Sequence, residues 1–185
     1  MKAFVHRLDD RVDAAFDRLR GDPLADRIFY GASTLGEFGH LWVMLALLRA
    51  LRGRPNDERA AIRAIVAGVV ESILVNGLIK SLFGRRRPVS DLVHPHPFRQ
   101  PLTSSFPSGH ATAAFCAATL LSDQDELRPL YYAAAGVVAA SRVHTKIHHA
   151  SDVLGGIVIG VCLGLIAKRL APLAPTPSPT GDLGR

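Results

Sequence analysis

Five apolar blocks separated by short charged turns dominate this chain, and they leave it little choice but a bundle of membrane helices. The blocks run over residues 35–51, 60–83, 111–121, 130–143 and 153–167, the first containing LWVMLALL. Gly53-Arg54-Pro55-Asn56-Asp57 and Ser122-Asp123-Gln124-Asp125-Glu126 are turns between them. Neither an alternating strand pattern nor an internal repeat is evident. A full span needs about 20 residues, and the third block falls short even when begun at Ser108. Some helix ends are therefore expected below the membrane surface, beside polar loops buried in protein. The expectation is an all-α, integral membrane bundle of five to six membrane helices. Gly156, Gly160 and Gly164 recur every four residues in the last block, a small-residue stripe suited to close helix packing.

Outside the blocks, Val5, Leu8, Val12, Ala15, Phe16 and Leu19 recur at helical spacing among Asp and Arg. Residues 1–22 are read as an amphipathic N-terminal helix, lying at an interface or packing on its own protein. The membrane-embedded domain is placed at 23–171, with 24–34 forming a short helix, and the Pro-rich tail 172–185 is expected to be disordered. The N-terminus lacks the apolar core of a signal peptide. Cys116 and Cys162 both fall in apolar runs and read as small buried hydrophobes, not a disulfide.

The chain is 48% hydrophobic yet carries 22 Lys and Arg against 16 Asp and Glu. Aromatic residues make up only 6%, and no nucleic-acid motif appears. Anionic lipid or a phosphorylated substrate is the better partner for this charge. If each block crosses once, the polar residues at several block ends share one membrane face. These are Lys80 and Arg87, Ser108 and His110, Ser141 and Arg142, and His148 and Asp152.

Each group reads two ways. Lys80 and Arg87-Pro88 are either lipid anchors or an anion clamp, since Pro88 pushes Arg87 out of helical geometry. Arg85 and Arg86 read as anchors. Pro107-Ser108-Gly109-His110 is either an ordinary capped helix start or an anion site, in which Gly109 admits a ligand to the backbone and His110 donates a proton. His148 and Asp152, four apart, share a helix face. There a carboxylate can fix the imidazole tautomer and leave the other nitrogen to attack. Arg142 adds a cation, and Ser141 a hydrogen bond. His144, His148, His149 and Asp152 also have the look of a metal-ligand cluster, but no thiolate set or HExxH pattern supports one. His149 is read as a lining or surface residue. Glu71 and Asn76, inside the second block, are a structural polar lock or a substrate contact.

Lys80 with Arg87-Pro88, then Pro107-Ser108-Gly109-His110, then Ser141-Arg142 with His148 and Asp152, resembles the three-part signature of the type 2 phosphatidic acid phosphatase superfamily. Order and internal spacing are intact. The resemblance implies a metal-independent membrane phosphatase that needs no cofactor. In it His148 is the nucleophile, Asp152 its orienting partner and His110 the proton donor. Lys80, Arg87, Ser108, Gly109, Ser141 and Arg142 hold the phosphoryl group. His149-Ala150 departs from the aromatic residue and proline of many relatives and alters the pocket rim.

The implied substrate is a lipid phosphate or diphosphate, with a polyprenyl carrier such as undecaprenyl diphosphate favoured. The alternatives are phosphatidic acid, diacylglycerol diphosphate and phosphatidylglycerol phosphate. Soluble acid phosphatases and vanadium haloperoxidases share the signature, but the apolar runs argue against both. A non-enzymatic lipid-binding protein would not need an intact His110, His148 and Asp152. The expected location is the bacterial cytoplasmic membrane with the site facing outward. Basic residues over 49–63 and at Lys168-Arg169 favour the opposite face as cytoplasmic, whereas Arg85 to Arg87 and the basic N-terminus pull the other way.

Overall fold

The computed structural model describes residues 2–89 and 103–175, and among them every regular element is helical. Helix α1 covers Lys2–Asp17 and α2 covers Pro23–Leu35. A short turn over Glu37–Gly39 leads into α3, His40–Leu51. Helix α4, Asp57–Ser72, runs on through a wider, π-helical stretch at Ile73–Ile79 and a final tight turn at Lys80–Leu82. Helices α5 (Gly109–Leu121), α6 (Arg128–His144) and α7 (Ala150–Leu170) complete the bundle.

Two helices are long and apolar enough to cross a membrane, Asp57–Leu82 and Ala150–Leu170. A third span arises if α2 and the Glu37–Leu51 segment, bent by 63°, act as one. The bend sits at Gly36 to Gly39, where Phe38 (φ 52°) and Gly39 (φ 74°) are left-handed. The weak segment over 24–34 is thus a real helix joined to the first apolar block.

Helix α5 is the axis of the bundle, packed on α3, α4, α6 and α7. The glycine stripe makes this possible. A Cβ at Gly156 would lie 2.7 Å from the Ser108 carbonyl oxygen, and one at Gly164 2.7 Å from Thr119 Cβ. The α7 backbone therefore lies directly on α5. The core built here is of small residues, with Ala46, Ala111, Ala114, Ala118 and Ala135 fully buried. Large apolar residues point outward instead, among them Val66, Val69 and Ile73 on α4 and Val158, Leu165 and Ile166 on α7. A bundle solvated by lipid inverts the soluble arrangement in this way, because lipid tails accept such side chains at no cost. Cys116 is buried as expected, but Cys162 is exposed on this outer face.

The far end of α5 is pinned by charge. Arg49 is 2% exposed and donates to the Leu121 carbonyl at 2.8 Å, the Asp123 carbonyl at 2.9 Å and the Asp57 carboxylate at 2.9 Å. Arg63 donates to the Leu120 carbonyl and pairs with Asp123 at 2.8 Å, and Lys168 reaches the same carboxylate. Cations at a helix C-terminus satisfy its free carbonyls and complement its dipole. Ion pairing holds the carboxyls of Asp123 and Asp125, in the loop after α5, below the usual carboxylate range despite burial.

Candidate active site

The opposite ends of α4, α5, α6 and α7 converge. Helix α6 stops at His144, and the chain reverses through Lys146, whose φ of 50° is left-handed. The Arg142 carbonyl accepts from the N–H groups of both Ile147 and His148, at 3.2 and 3.1 Å, so the turn folds back on the end of α6. This brings His148 to the entrance of α7, where Asp152 occupies the first turn.

His148 and Asp152 face each other with Nδ1 and Oδ2 3.8 Å apart, and both are buried. On the other side of the ring, Nε2 lies 3.2 Å from Arg87 Nη1. Arg87 is held by the Ile147 carbonyl at 3.0 Å and by the Thr103 carbonyl at 3.3 Å. Burial presses the His148 pKa down to about 4, the Asp152 carboxylate acting against that trend. The imidazole is therefore neutral at physiological pH, with one ring nitrogen carrying a free lone pair.

The Asp152 side chain accepts three hydrogen bonds. It accepts from Ser105 Oγ at 2.6 Å, from Arg85 Nη1 at 2.6 Å and from the His149 N–H at 2.9 Å. Its own carbonyl accepts from the Ser108 N–H at 3.1 Å, which ties α7 to the start of α5. Ser108 caps that helix, its Oγ accepting from the Ala111 N–H at 3.5 Å. Gly109 follows, and a Cβ there would meet Asn76 Oδ1 at 3.3 Å and Lys80 Nζ at 3.5 Å. The widened turn at Ile73–Ile79 delivers these two side chains to the N-terminus of α5. Asn76 also reaches Ser72, at 3.3 Å.

Like charges gather here. Lys80 feels the repulsion of Arg87 and Arg142, and His110 lies within reach of the charges of Arg142 and Lys80. Arg142 is 3% exposed and donates to Ser33 Oγ, but its Nε has no partner among the described residues. Nor has His110 Nε2. Cations around a helix N-terminus make a setting that favours an anion.

Several sequence expectations change. Ser141 is buried, and its hydroxyl donates to the Val138 carbonyl at 2.6 Å, within its own helix. His149 occupies the N-cap position of α7, with its N–H on Asp152, so it is a helix start and not merely rim. Arg85, read as an anchor, instead grips the Asp152 carboxylate that faces His148. Among the described residues no group of three or more His, Cys, Asp or Glu could hold a metal ion. His144 is turned away to Asp26, at 2.7 Å, and stacks on Phe29. Glu71 is 3% exposed, with one oxygen unpaired among the described residues and the charge of Lys80 nearby. Ser105 and Ser33 are site neighbours that no motif flagged, whereas Asn76 is read in the sequence, with Glu71, as a structural lock or a substrate contact.

One end of the helical bundle thus brings a histidine–carboxylate pair together with several cations. Residues 61–174 match the model of the PAP2 superfamily, and the chain belongs to this family of type 2 phosphatidic acid phosphatases. It is 34% identical over 140 residues to decaprenylphosphoryl-5-phosphoribose phosphatase of Mycobacterium tuberculosis, covering 76% of this chain and 77% of that protein. It is 31% identical over 119 residues to lipid A 1-phosphatase of Porphyromonas gingivalis, covering 60% of this chain and 24% of that one. Among solved structures, Aquifex aeolicus LpxE superposes with a TM-score of 0.68 at 28% identity, over 86% of this chain and 93% of that one. The Bacillus subtilis transmembrane PAP2 phosphatidylglycerolphosphate phosphatase superposes with a TM-score of 0.69 at 24% identity, over 90% and 85%. The chain is thus an integral membrane phosphatase of lipid phosphates.

Proposed function

We propose that this protein removes the terminal phosphate from a polyprenyl-linked phosphate or diphosphate, through a phosphohistidine at His148. The observation that carries the reading is the placement of His148 Nε2 3.2 Å from a phosphate-clamping guanidinium, with Nδ1 turned to Asp152. Lys80, Arg87 and Arg142 clamp the phosphoryl oxygens and offset the charge of the transition state. Ser108 and the Gly109 N–H complete the cradle. Nε2 attacks phosphorus in line, the bond to the leaving oxygen breaks, and His110 delivers the proton that oxygen needs. Asp152 stabilises the charge left on the His148 ring. His110 then takes a proton from water, whose oxygen attacks phosphorus and releases phosphate and free His148. The fixed cations neutralise the phosphoryl charge, so the reaction proceeds without a divalent metal.

The polyprenyl preference is supported by the Mycobacterium tuberculosis relative, which is named for a decaprenyl-linked substrate. Undecaprenyl diphosphate is the favoured compound. In this reading the α2–α3 pair, α4, α5, α6 and α7 cross the cytoplasmic membrane, α1 lies along the interface and the site faces outward, a reading supported by the basic residues over 49–63 and at Lys168-Arg169 at the opposite end. Labelling a cysteine introduced at Arg99, a position outside the described residues, tests that orientation. Label added outside the cell must reach it.

The function is tested by phosphate release from detergent-purified protein in excess EDTA, with undecaprenyl diphosphate, phosphatidic acid and phosphatidylglycerol phosphate side by side. EDTA-resistant release, lost in His148→Ala, is expected. No release from any lipid by folded protein refutes the reading.

A further inference from the structure

Asp9 lies on α1, outside the residues matched by the family model, yet it is a buried carboxylate at 6% exposure. Its Oδ2 accepts from Arg85 Nη2 at 2.7 Å and from Ser151 Oγ at 2.9 Å, and its Oδ1 from the Ser151 N–H at 2.8 Å. Arg85 spends its other terminal nitrogen, Nη1, on Asp152 and Ser151 Oγ, at 2.6 and 2.7 Å. A carboxylate of the N-terminal helix thus caps the start of α7 and fixes the guanidinium that fixes Asp152.

A second latch holds the other side of the same turn. Arg20, just after α1, donates to the carbonyls of Val143 and His144 at 2.8 and 2.9 Å, where α6 ends. It also pairs with Asp13 at 2.6 Å, and Lys146 approaches Asp13 and Asp17 at 3.5 Å. The turn that carries His148 is therefore clasped from both flanks by α1 and the residues that follow it.

We infer that α1 is a positioning element for the nucleophile, acting through Asp9, Arg85 and Asp152 in series. The inference rests on the proposed phosphohistidine reaction. Arg85 fixes which way the Asp152 carboxylate faces, and Asp9 fixes Arg85. Asp9 also balances the guanidinium charge, so Asp152 keeps its own negative charge for the His148 ring. A fork held at both ends by carboxylates has one geometry, whereas a fork held at one end can swing. Groups that orient a reacting residue this way typically contribute 10- to 100-fold.

The test uses the full chain in detergent, comparing Asp9→Asn, Asp9→Glu, Arg85→Gln and the double variant Asp9→Asn with Arg85→Gln. Asp10→Asn, at an exposed neighbour on α1, is the control. Asp9→Asn is expected to lower kcat about tenfold with KM within about twofold, and Asp9→Glu to recover part of the loss. The double variant should be no slower than Arg85→Gln alone, because Asp9 works only through Arg85. A kcat for Asp9→Asn equal to wild type, a fall in Tm alone, a rise in KM alone, or losses that multiply in the double variant overturns the inference. If the wild type itself releases no phosphate from any lipid, the proposed function falls and this inference with it. Active wild type with unaffected variants overturns the inference alone.

Discussion

Replacing Gly156 by alanine adds one methyl group at the contact that joins the two halves of the site. The new Cβ would stand 2.7 Å from the Ser108 carbonyl oxygen, and 3.1 Å from both Ala111 Cβ and Thr112 Oγ1. That is about 0.7 Å short of ordinary van der Waals separation, and the obstacle is backbone, so α7 and α5 must part by about that distance. The Ser108 N–H to Asp152 carbonyl bond, now 3.1 Å, then opens to about 3.8 Å, past useful hydrogen-bond length. Overpacking costs about 1–3 kcal/mol, while alanine returns about 1 kcal/mol of helix propensity. Stability should fall by no more than about 2 kcal/mol. Catalysis should suffer more. Asp152 and Ser108 lie on opposite sides of the opened contact, and misplacement near 1 Å costs up to about 100-fold. The assay pairs phosphate release with thermal unfolding in the same detergent. Gly68→Ala is the control, since a Cβ there meets nothing within 4 Å. If Gly156→Ala matches Gly68→Ala in both rate and Tm, the direct backbone contact of α5 and α7 is wrong.

Ser105→Ala removes the 2.6 Å donor to Asp152 and should lower kcat by about 10- to 100-fold, the worth of one hydrogen bond to a charged group. Unchanged kcat would show that Ser105 leaves the carboxylate alone. Arg49→Ala leaves the buried Asp57 carboxylate with Arg52 alone, at 3.1 Å, and removes the donor from the Leu121 and Asp123 carbonyls, and should destabilise by about 1–3 kcal/mol in thermal unfolding. The pH dependence has a defined sign. His148 titrates near 6.5 when unperturbed and about 4 in the fold, so the folded protein binds fewer protons than the unfolded chain across that window. Its contribution to stability is complete above about pH 6.5 and is lost as pH falls towards 4. Unfolding of wild type and His148→Ala compared across that range should show the loss in the wild type only.

The parts of the site that lie on helix ends were legible because their chemistry depends on position along the chain. A serine and glycine at a helix start, or a histidine four residues before an aspartate, carries its geometry in its spacing. Ser141 shows the limit. It stands beside Arg142, but adjacent residues on a helix point about 100° apart, and its hydroxyl turns back to Val138. Arg85 shows the converse. Three consecutive arginines look alike in sequence, and only the arrival of Asp9 and Asp152, distant along the chain, separates the positioning residue from its neighbours. Ser105 was hidden for the same reason. The span count stayed out of reach because it depends on lipid and on the bend at Phe38–Gly39, where two short helices join into one candidate span.

The two ends of α5 explain each other. One end is rich in carbonyl oxygens and is met by Arg49 and Arg63, each also paired with a carboxylate. The other end presents free N–H groups and is met by Lys80, Arg142 and His110, with unpaired nitrogens on Arg142 and His110. A helix dipole repels cations at its N-terminus, so nothing in the fold alone rewards placing them there. In the proposed reaction the cost is recovered when a phosphoryl group enters and supplies the missing negative charge, most of all in the transition state, where that charge is spread over its oxygens. The satisfied end is what makes this possible. With α5 fixed in register by buried ion pairs and by its contact with the glycines of α7, the cations cannot relax apart while the site is empty, and their mutual repulsion is held in place for the substrate to relieve.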